Sequence, residues 1–489
     1  MRIRNVHVIE SMCWKTVFAI SLFCAVAAIA SQAQTFTTLT SFNSYVDGGA
    51  PYGSLAQGFD GNFYGTTSSG GSNGTLAGTV FRMTPEGTLT VIYAFCSQIN
   101  CADGENPFGG LVLGTDGNFY GTTLGGGTFG TFGTVFKITS GGQLTTLHSF
   151  QGSDGVTLFF GLAQATDGNF YGTTYEGGSS TNCPAGCGTV FQITPAGSFT
   201  MLHSFCPQSG CADGSAPQGL LPGSDGNLYG TTGSGGANGM GTIFRITPGG
   251  AFTTLHSFNG ADGNFPIAAL VQAGQSNFGY GATATGGTQS NGTLFSSTAT
   301  GNVTTLYNFC SQTNCADGRQ PSGLIRATDA NIYGTTLGGG SSFSGGGILF
   351  GMTPTGKFHT LHTFCASRTC ADGEAPRGGL IQGTDGSIYG TTQLDGTAGG
   401  GTVFRLTVGL APFVRTSPSF GSAGATVVIF GTNLTGATAV SFNGTTASFT
   451  VVSGTEITAT VPSGATSGTV AVTTPGGTLT SNVPFQVAK

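Results

Sequence analysis

The sequence predicts an all-β chain: a seven-bladed β-propeller closed by its own N-terminal strand, followed by a small β-sandwich. Three observations carry this. The composition is one of strands and turns, with 88 Gly, 38 Phe and only 7% charged residues, where a disordered chain would be rich in charge and poor in aromatics. A unit of four strand-like segments recurs seven times, the mark of a repeat architecture. The repeat is also out of step with its own ends: a lone fourth strand precedes the first copy, and the last copy stops after its third strand.

Residues 1–33 read as a signal peptide. Arg2, Arg4 and Lys15 are basic, Thr16 to Ala30 is apolar, and Ser31-Gln32-Ala33 offers a small-residue cleavage site before Gln34. A lipid anchor at Cys24 is the rival reading, with Phe23 bulky where a small residue is expected. No later segment looks transmembrane. The expected location is secreted or cell-surface. A net charge of -6 provides no basic patch, so nucleic acid is not an expected partner.

The expected propeller spans 34–408. Its clearest unit is Asp-Gly-Asn-Phe-Tyr-Gly-Thr-Thr, whose copies place Tyr at 64, 120, 171, 229, 280, 333 and 389. A Gly-Thr-Val-Phe strand recurs with Phe81, Phe136, Phe191, Phe244, Phe295, Phe350 and Phe404. A Leu-His-Ser-Phe strand ends at Phe42, Phe95, Phe150, Phe205, Phe258, Phe309 and Phe364. In the second copy the reading is Gly110 to Gly114, Asn118 to Thr123, Gly133 to Thr139 and Gln143 to Phe150, with Asp-Gly and Gly-Gly turns between them. Four-stranded antiparallel units repeated radially are propeller blades. The orphan strand Thr35 to Phe42 is expected to pair with the orphan Gly401 to Thr407, closing the ring and covering both edges.

Beyond Gly409 the composition changes, with no Asp or Cys from 411 to 489. Alternating segments Ala425 to Phe430, Ala439 to Phe442, Ser448 to Val452, Glu456 to Val461 and Thr469 to Thr474 suit a small sandwich. Ser417-Pro418-Ser419-Phe420-Gly421, Val427-Val428-Ile429-Phe430-Gly431-Thr432-Asn433-Leu434 and Pro484-Phe485-Gln486-Val487 resemble the IPT/TIG family over residues 411–489. The resemblance implies an immunoglobulin-like fold and a spacer or adhesion role. Residues 35–407, through Asp-Gly-Asn-Phe-Tyr-Gly-Thr-Thr, the Gly-Thr-Val-Phe strand and Leu-His-Ser-Phe, resemble the GloVer tandem repeat of bacterial surface and secreted proteins, which implies architecture more than activity. Members often carry a C-terminal sorting anchor, and this chain departs from that pattern at Lys489.

Ten cysteines after the signal fall into five close pairs: Cys96/Cys101, Cys183/Cys187, Cys206/Cys211, Cys310/Cys315 and Cys365/Cys370. Disulfides in an oxidising compartment are the expected reading. Zinc, which two pairs could bind as one tetrahedral site, is the competitor. It is disfavoured because four pairs occupy equivalent positions of different repeats.

The search for chemistry leaves no catalytic constellation and no expected cofactor. Asp47, Asp103, Asp154, Asp213, Asp262, Asp317 and Asp372 share a loop position, and Asp60, Asp116, Asp167, Asp225, Asp329 and Asp385 share a hairpin turn. Both are places where Asp and Gly serve the backbone. Only Asp395 lies outside the pattern. Glu86, Glu105, Glu176, Glu374 and Glu456 are scattered, without the marked pair a glycosidase needs. His148, His203, His256 and His362 share a position that Thr40, Tyr93 and Tyr307 fill elsewhere, which fits packing or hydrogen bonding better than metal ligation. His359 stands alone. Gly70-Gly71-Ser72-Asn73-Gly74 matches a nucleophile-elbow pattern by letter but lies in a Gly-rich loop. Calcium at the loop Asp residues is the remaining metal reading. The repeated Tyr are expected to pack between blades. The loops Ser68 to Ala77, Leu124 to Phe132, Tyr175 to Cys187 and Gln393 to Gly400 are the expected recognition surface. The functional expectation is a non-catalytic binding or scaffold protein for an extracellular polysaccharide or surface protein. A carbohydrate-active hydrolase or lyase is the alternative.

Overall fold

Each Tyr-Gly-Thr-Thr segment needs a partner strand on both sides, and the sequence places one before and one after it. The computed structural model describes residues 34–71, 74–267, 269–272, 279–341 and 344–488. The expected signal segment, and Ser72-Asn73 of the elbow-like stretch, lie outside them. The described residues form strands with two single-turn 3-10 segments. In the second repeat, Val112–Leu113, Phe119–Thr123, Thr134–Ile138 and Leu144–Ser149 pair in chain order as an antiparallel meander. Among the described residues seven sheets follow this order. In one of them Ile381–Gln382, Ile388–Thr392 and Gly399–Thr407 are completed by Thr35–Asn43, with Thr35 opposite Thr407 and Ser41 opposite Thr402.

The first strand is shorter than the expected Gly110 to Gly114. A Cβ on Gly109 would lie 2.7 Å from the backbone N of Gly161 and one on Gly110 2.7 Å from the carbonyl O of Ser54, so the Gly109-Gly110 backbone is wedged between the sheets on either side instead of pairing within its own. The fourth and sixth repeats are one residue shorter here, with Gly219 or Gly323 alone between the post-proline residue and the leucine, and their first strands extend to Ser215–Pro222 and Arg319–Arg326.

The repeat motif decodes position by position. The Tyr120 hydroxyl donates to Asp116 (2.8 Å) in the preceding turn, and its ring stacks on Phe170 of the next sheet, 3.9 Å between centroids. Gly121 lies beneath the Phe136 ring, where a Cβ would meet Cζ at 2.5 Å. The Thr122 hydroxyl donates to the Phe160 carbonyl of the next sheet at 3.1 Å. Thr123 shares a hydrogen bond with Thr134 across the strand pair at 2.9 Å.

Buried side chains gather in clusters, each joining consecutive sheets. Tyr64 and Phe95 of the first repeat meet Phe119 and Phe136 of the second. One further cluster joins Phe63, Phe81 and Met83 of the first repeat to Phe42, Tyr389 and Val403, so the first and last repeats share a core. The Thr391 hydroxyl donates to the Pro51 carbonyl at 3.2 Å, linking these two repeats as Thr122 links the second to the third, with an acceptor two residues earlier in the receiving segment.

The C-terminal region is a separate sandwich. Arg415–Ser417, Thr426–Phe430, Glu456–Thr460 and Phe449–Val451 form one sheet; Thr445–Thr446, Ala439–Phe442, Val470–Thr474 and Gly477–Thr480 form the other. Alternating residues Val427, Ile429, Val440, Phe442, Ile457, Val470 and Val472 fill the space between them. The sandwich meets the hairpin turns of the repeat region. Phe413 N donates to the Thr384 carbonyl (2.9 Å), Arg415 Nη2 to the Gln382 carbonyl (2.7 Å), and Phe430 lies 5.2 Å from Phe59. Burial pushes the Arg415 guanidinium down to about 10.

Candidate functional site

The carboxylates resolve first. Each turn Asp accepts from the residue two further on and from its repeat's Tyr: Asp116 takes Asn118 N (3.1 Å), Asn118 Nδ2 (2.8 Å) and Tyr120 Oη (2.8 Å). Burial works to raise the Asp116 carboxyl, but these donors outweigh it and hold the group below its ordinary value. Burial, reinforced by the hydrogen bond to Asp167, pushes the Tyr171 phenol up to about 12.

The loop carboxylates explain the His and Tyr interchange. His148, His203, His256 and His362 place Nε2 2.8 to 2.9 Å from Asp154, Asp213, Asp262 and Asp372. Tyr93 and Tyr307 donate their hydroxyls to Asp103 and Asp317 at 2.8 Å. His and Tyr both carry a polar atom at the end of a flat ring. The ring also stacks on the next sheet: His148 on Phe199 at 3.9 Å, His203 on Phe252 at 4.1 Å and Tyr307 on Phe358 at 4.2 Å. Asp103 is buried and also accepts Ser97 N, Ser97 Oγ and Gln98 N. Its neighbours present N–H and O–H hydrogens to it, whereas a calcium site needs further oxygen ligands turned inward.

One carboxylate pair stands apart. Burial, then a hydrogen bond and repulsion from Asp395, raise the Glu374 carboxyl above its ordinary value. Glu374 and Leu394 form an antiparallel bridge next to Asp395, beside the Cys365/Cys370 pair.

A concave feature lies among the first strands of the seven repeats. A cavity of about 680 Å³ is lined by one residue from the same position of every repeat. That position follows the loop proline, or Leu158 in the third copy, and holds Tyr52, Phe108, Phe159, Gln218, Ile267, Ser322 and Arg377. Tyr52 stacks on Phe108 at 4.4 Å, Phe108 meets Phe159 edge-on at 5.7 Å, and Phe159 meets Tyr175 at 5.3 Å. The Arg377 guanidinium carbon is 5.7 Å from the Tyr52 ring centre, within cation–π range. Gln393 donates to the Tyr52 hydroxyl at 2.6 Å. Glycines at 53, 109, 110, 161, 219, 323 and 379 keep the wall open.

Two of the expected recognition loops reach this rim, through Tyr175 and Gln393. The loop Leu124 to Phe132 contributes no lining residue. The repeated Tyr are inside: Tyr64, Tyr120, Tyr171 and Tyr389 are fully buried. The sequence reading passed over the post-proline position, although its signal was present: a residue that differs in nearly every repeat between neighbours that are Pro and Gly in five of the seven.

The five cysteine pairs lie at disulfide distance, with Cα separations of 4.0 to 5.4 Å. Cys96/Cys101, Cys206/Cys211, Cys310/Cys315 and Cys365/Cys370 clamp the loop after the fourth strand. Cys183/Cys187 belongs to the loop between second and third strands of the third repeat, yet comes to rest beside Cys206/Cys211. The spacing argument against a shared metal site covers the four equivalent pairs and does not reach this fifth one.

Fold and site together define an all-β repeat protein with a sandwich appendage and an aromatic cavity built by the repeats in common. Residues 24–185 carry the Gloeobacter/Verrucomicrobia repeat, and residues 413–487 are an IPT/TIG domain. No curated protein matches the sequence. Among solved structures the chain is similar to a fungal alcohol oxidase of the AA5 family in complex with copper, at 13% identity and a TM-score of 0.45, covering 93% of this chain and 99% of that one. It is similar to the extracellular domain of a candidate one-component system from B. thetaiotaomicron, at 10% identity and a TM-score of 0.48, covering 94% and 58%. A puromycin-hydrolyzing peptidase of Mycobacterium tuberculosis aligns at 11% identity and a TM-score of 0.45, covering 82% and 61%. Likenesses this distant carry no argument about activity. Among the described residues no helix is long and apolar enough to cross a membrane.

Proposed function

We propose that this is an exported binding protein whose seven sheets form a closed seven-bladed β-propeller, and that the cavity at the convergence of its first strands receives the end of an extracellular polysaccharide. Ring closure is supported by the pairing of Thr35–Asn43 with Gly399–Thr407, by the core shared between first and last repeats, and by the Thr391 to Pro51 hydrogen bond. The five cysteine pairs and the IPT/TIG domain support an extracellular location, with the sandwich as a spacer. The observation that carries the binding reading is the ring of post-proline residues. Flat aromatic faces at Tyr52, Phe108 and Phe159 suit the apolar faces of sugar rings, and Arg377 supplies hydrogen bonds to hydroxyl or carboxylate groups, while the buried Gln218 and Ser322 side chains are bonded to Ala216 and to Thr335 and Pro376.

The test is retention of residues 34–489 on a panel of insoluble polysaccharides, with and without a calcium chelator, with reducing ends measured in the same tubes. Retention that falls at least tenfold in the Tyr52→Ala/Phe108→Ala double variant supports the reading. Loss on chelation would revive calcium as a bound ion. Released reducing ends would overturn it in favour of a hydrolase or lyase, with Glu374 and Asp395 as the first residues to replace. Neither retention nor product leaves a surface protein as partner and removes the polysaccharide.

A further inference from the structure

Cys183 and Cys187 share a loop with no cysteine counterpart in any other repeat, and that loop folds onto the Cys206/Cys211 loop of the following connection. The four Sγ atoms lie within 4.8 Å of one another. No sulfur–sulfur bond runs between the two pairs, so their meeting is the work of the surrounding structure. The Ser180 hydroxyl and the Asn182 side-chain amide both donate to the Cys206 carbonyl, at 2.6 and 2.9 Å, and Ala216 N donates to the Cys187 carbonyl at 2.9 Å. Cys187 and Cys206 are buried, at 1% and 0% exposure, while Cys183 and Cys211 are partly buried. The Ser180 hydroxyl oxygen lies 3.6 Å from Cys187 Sγ.

Four sulfurs around zinc sit about 2.3 Å from the metal, hence roughly 3.8 Å from each other at tetrahedral angles. The two loops therefore already bring the four sulfurs to within about 1 Å of the spacing such a site needs, and each bonded pair has only to part. We infer that Cys183, Cys187, Cys206 and Cys211 form a redox-gated site that, once reduced, binds one zinc-class divalent cation as a tetrathiolate. Two equivalents of a soluble dithiol reduce the two disulfides; each dithiol gives up two electrons and two protons and becomes a disulfide, leaving four protein thiols. The cation then displaces four protons to solvent as four metal–sulfur bonds form. Cys96/Cys101 and Cys365/Cys370 each have one carboxylate in the same reach, Glu105 and Glu374. They offer three mixed ligands where this site offers four matched soft ones.

The experiment uses residues 34–489, reduced with excess dithiol, freed of reductant under anaerobic conditions and titrated with cobalt(II). The expected result is one equivalent bound with the charge-transfer and d–d bands of tetrahedral thiolate cobalt, bleached by one equivalent of zinc(II). The bands should be lost in Cys187→Ser and in Cys211→Ser and kept in Cys310→Ser/Cys315→Ser. Absence of the bands when a thiol count confirms full reduction, or their survival in Cys187→Ser, overturns the proposal. Reduction opens the other loop clamps as well. A second variant with Ser at 96, 101, 310, 315, 365 and 370 therefore isolates the four cysteines, and its circular dichroism is followed. Sheet signal that is retained or regained on adding cobalt supports the site, and a reduced chain that cobalt leaves unfolded counts against it.

Discussion

Replacing Phe42 by Ala tests whether the N-terminal strand is a structural part of the sheet it completes, as the proposed ring closure requires, or an arm laid along it. Phe42 is fully buried, 5.0 Å from Phe81, in the cluster with Leu55, Phe63, Met83, Tyr389 and Val403. A buried Phe withdraws about 150 Å² or more from water, so at about 25 cal/mol per Å² its transfer contribution is roughly 4 kcal/mol. Phe→Ala changes in cores cost about 3–5 kcal/mol, cavity included. Phe150 is the internal control: it occupies the same repeat position, equally buried, 5.4 Å from Phe191, in a strand joined to its sheet by a short turn. Urea unfolding of the two variants, followed by far-UV circular dichroism with disulfides intact, should give losses equal within about 1 kcal/mol, near the independence limit of such comparisons. A loss below about 1 kcal/mol for Phe42→Ala, beside a full loss for Phe150→Ala, would refute closure through this strand, because an arm that frays leaves the core before its side chain matters.

Three further outcomes follow from the same contacts. The Tyr171 and Tyr229 phenols are pushed up to about 12, by burial first and then by their bonds to Asp167 and Asp225. The folded protein thus holds these protons more tightly than the unfolded chain; stability should be level up to about pH 10, where a free Tyr titrates, and fall from there towards 12, read as urea midpoints across that range. Glu374 is raised, by burial and then by Asp395, so it withdraws stability as pH climbs above its ordinary range. Asp395→Asn should flatten that fall between pH 4.5 and 7 and gain a few tenths of a kcal/mol at neutrality, the modest size set by solvent screening; a variant less stable than the parent at pH 7 refutes the repulsion. Arg415 makes one hydrogen bond to Gln382 while its Nε is buried without a partner. Arg415→Met should therefore be neutral or more stable by about 1 kcal/mol in thermal unfolding, since a buried cation with incomplete partners is costly to keep.

Much of the strand order was legible because the repeat prints each element seven times. The pairing of Thr35–Asn43 with Gly399–Thr407 followed from matching incomplete ends, within two residues of the expected bounds. In the sandwich, Ala439–Phe442 falls where the alternation puts it, while Arg415–Ser417 and Gly477–Thr480, short and without apolar alternation, gave no period to read. The first strand of the second repeat misled for another reason. Gly110 to Gly114 has the look of a strand, but Gly109 and Gly110 are small because the backbones of the third and first repeats pass there, a fact about the neighbouring repeats that no local pattern contains.

The two sites escaped for opposite reasons. A fold built from seven similar units fixes whatever all units need: the Tyr that bonds its turn Asp, the Gly beneath a Phe ring, the Thr that reaches the next sheet. Landmarks found by repetition are therefore mostly structural: the turn Asp bonds the Tyr of its own repeat, and rings such as Tyr120, His148 and Tyr307 stack on the next sheet. Recognition at an axis must come from a position the fold leaves free, and such a position looks like noise within one repeat. Tyr52, Phe108, Phe159, Gln218, Ile267, Ser322 and Arg377 become a site only when set side by side. The cysteine cluster inverts this. Cys206/Cys211 was conspicuous as one of four equal clamps, and that equality argued for separation. Only the fifth pair, in a loop with no counterpart elsewhere, brings four sulfurs within 4.8 Å. In a symmetric scaffold chemistry begins where one repeat departs from the others, so the departures, more than the consensus, are where function should be sought.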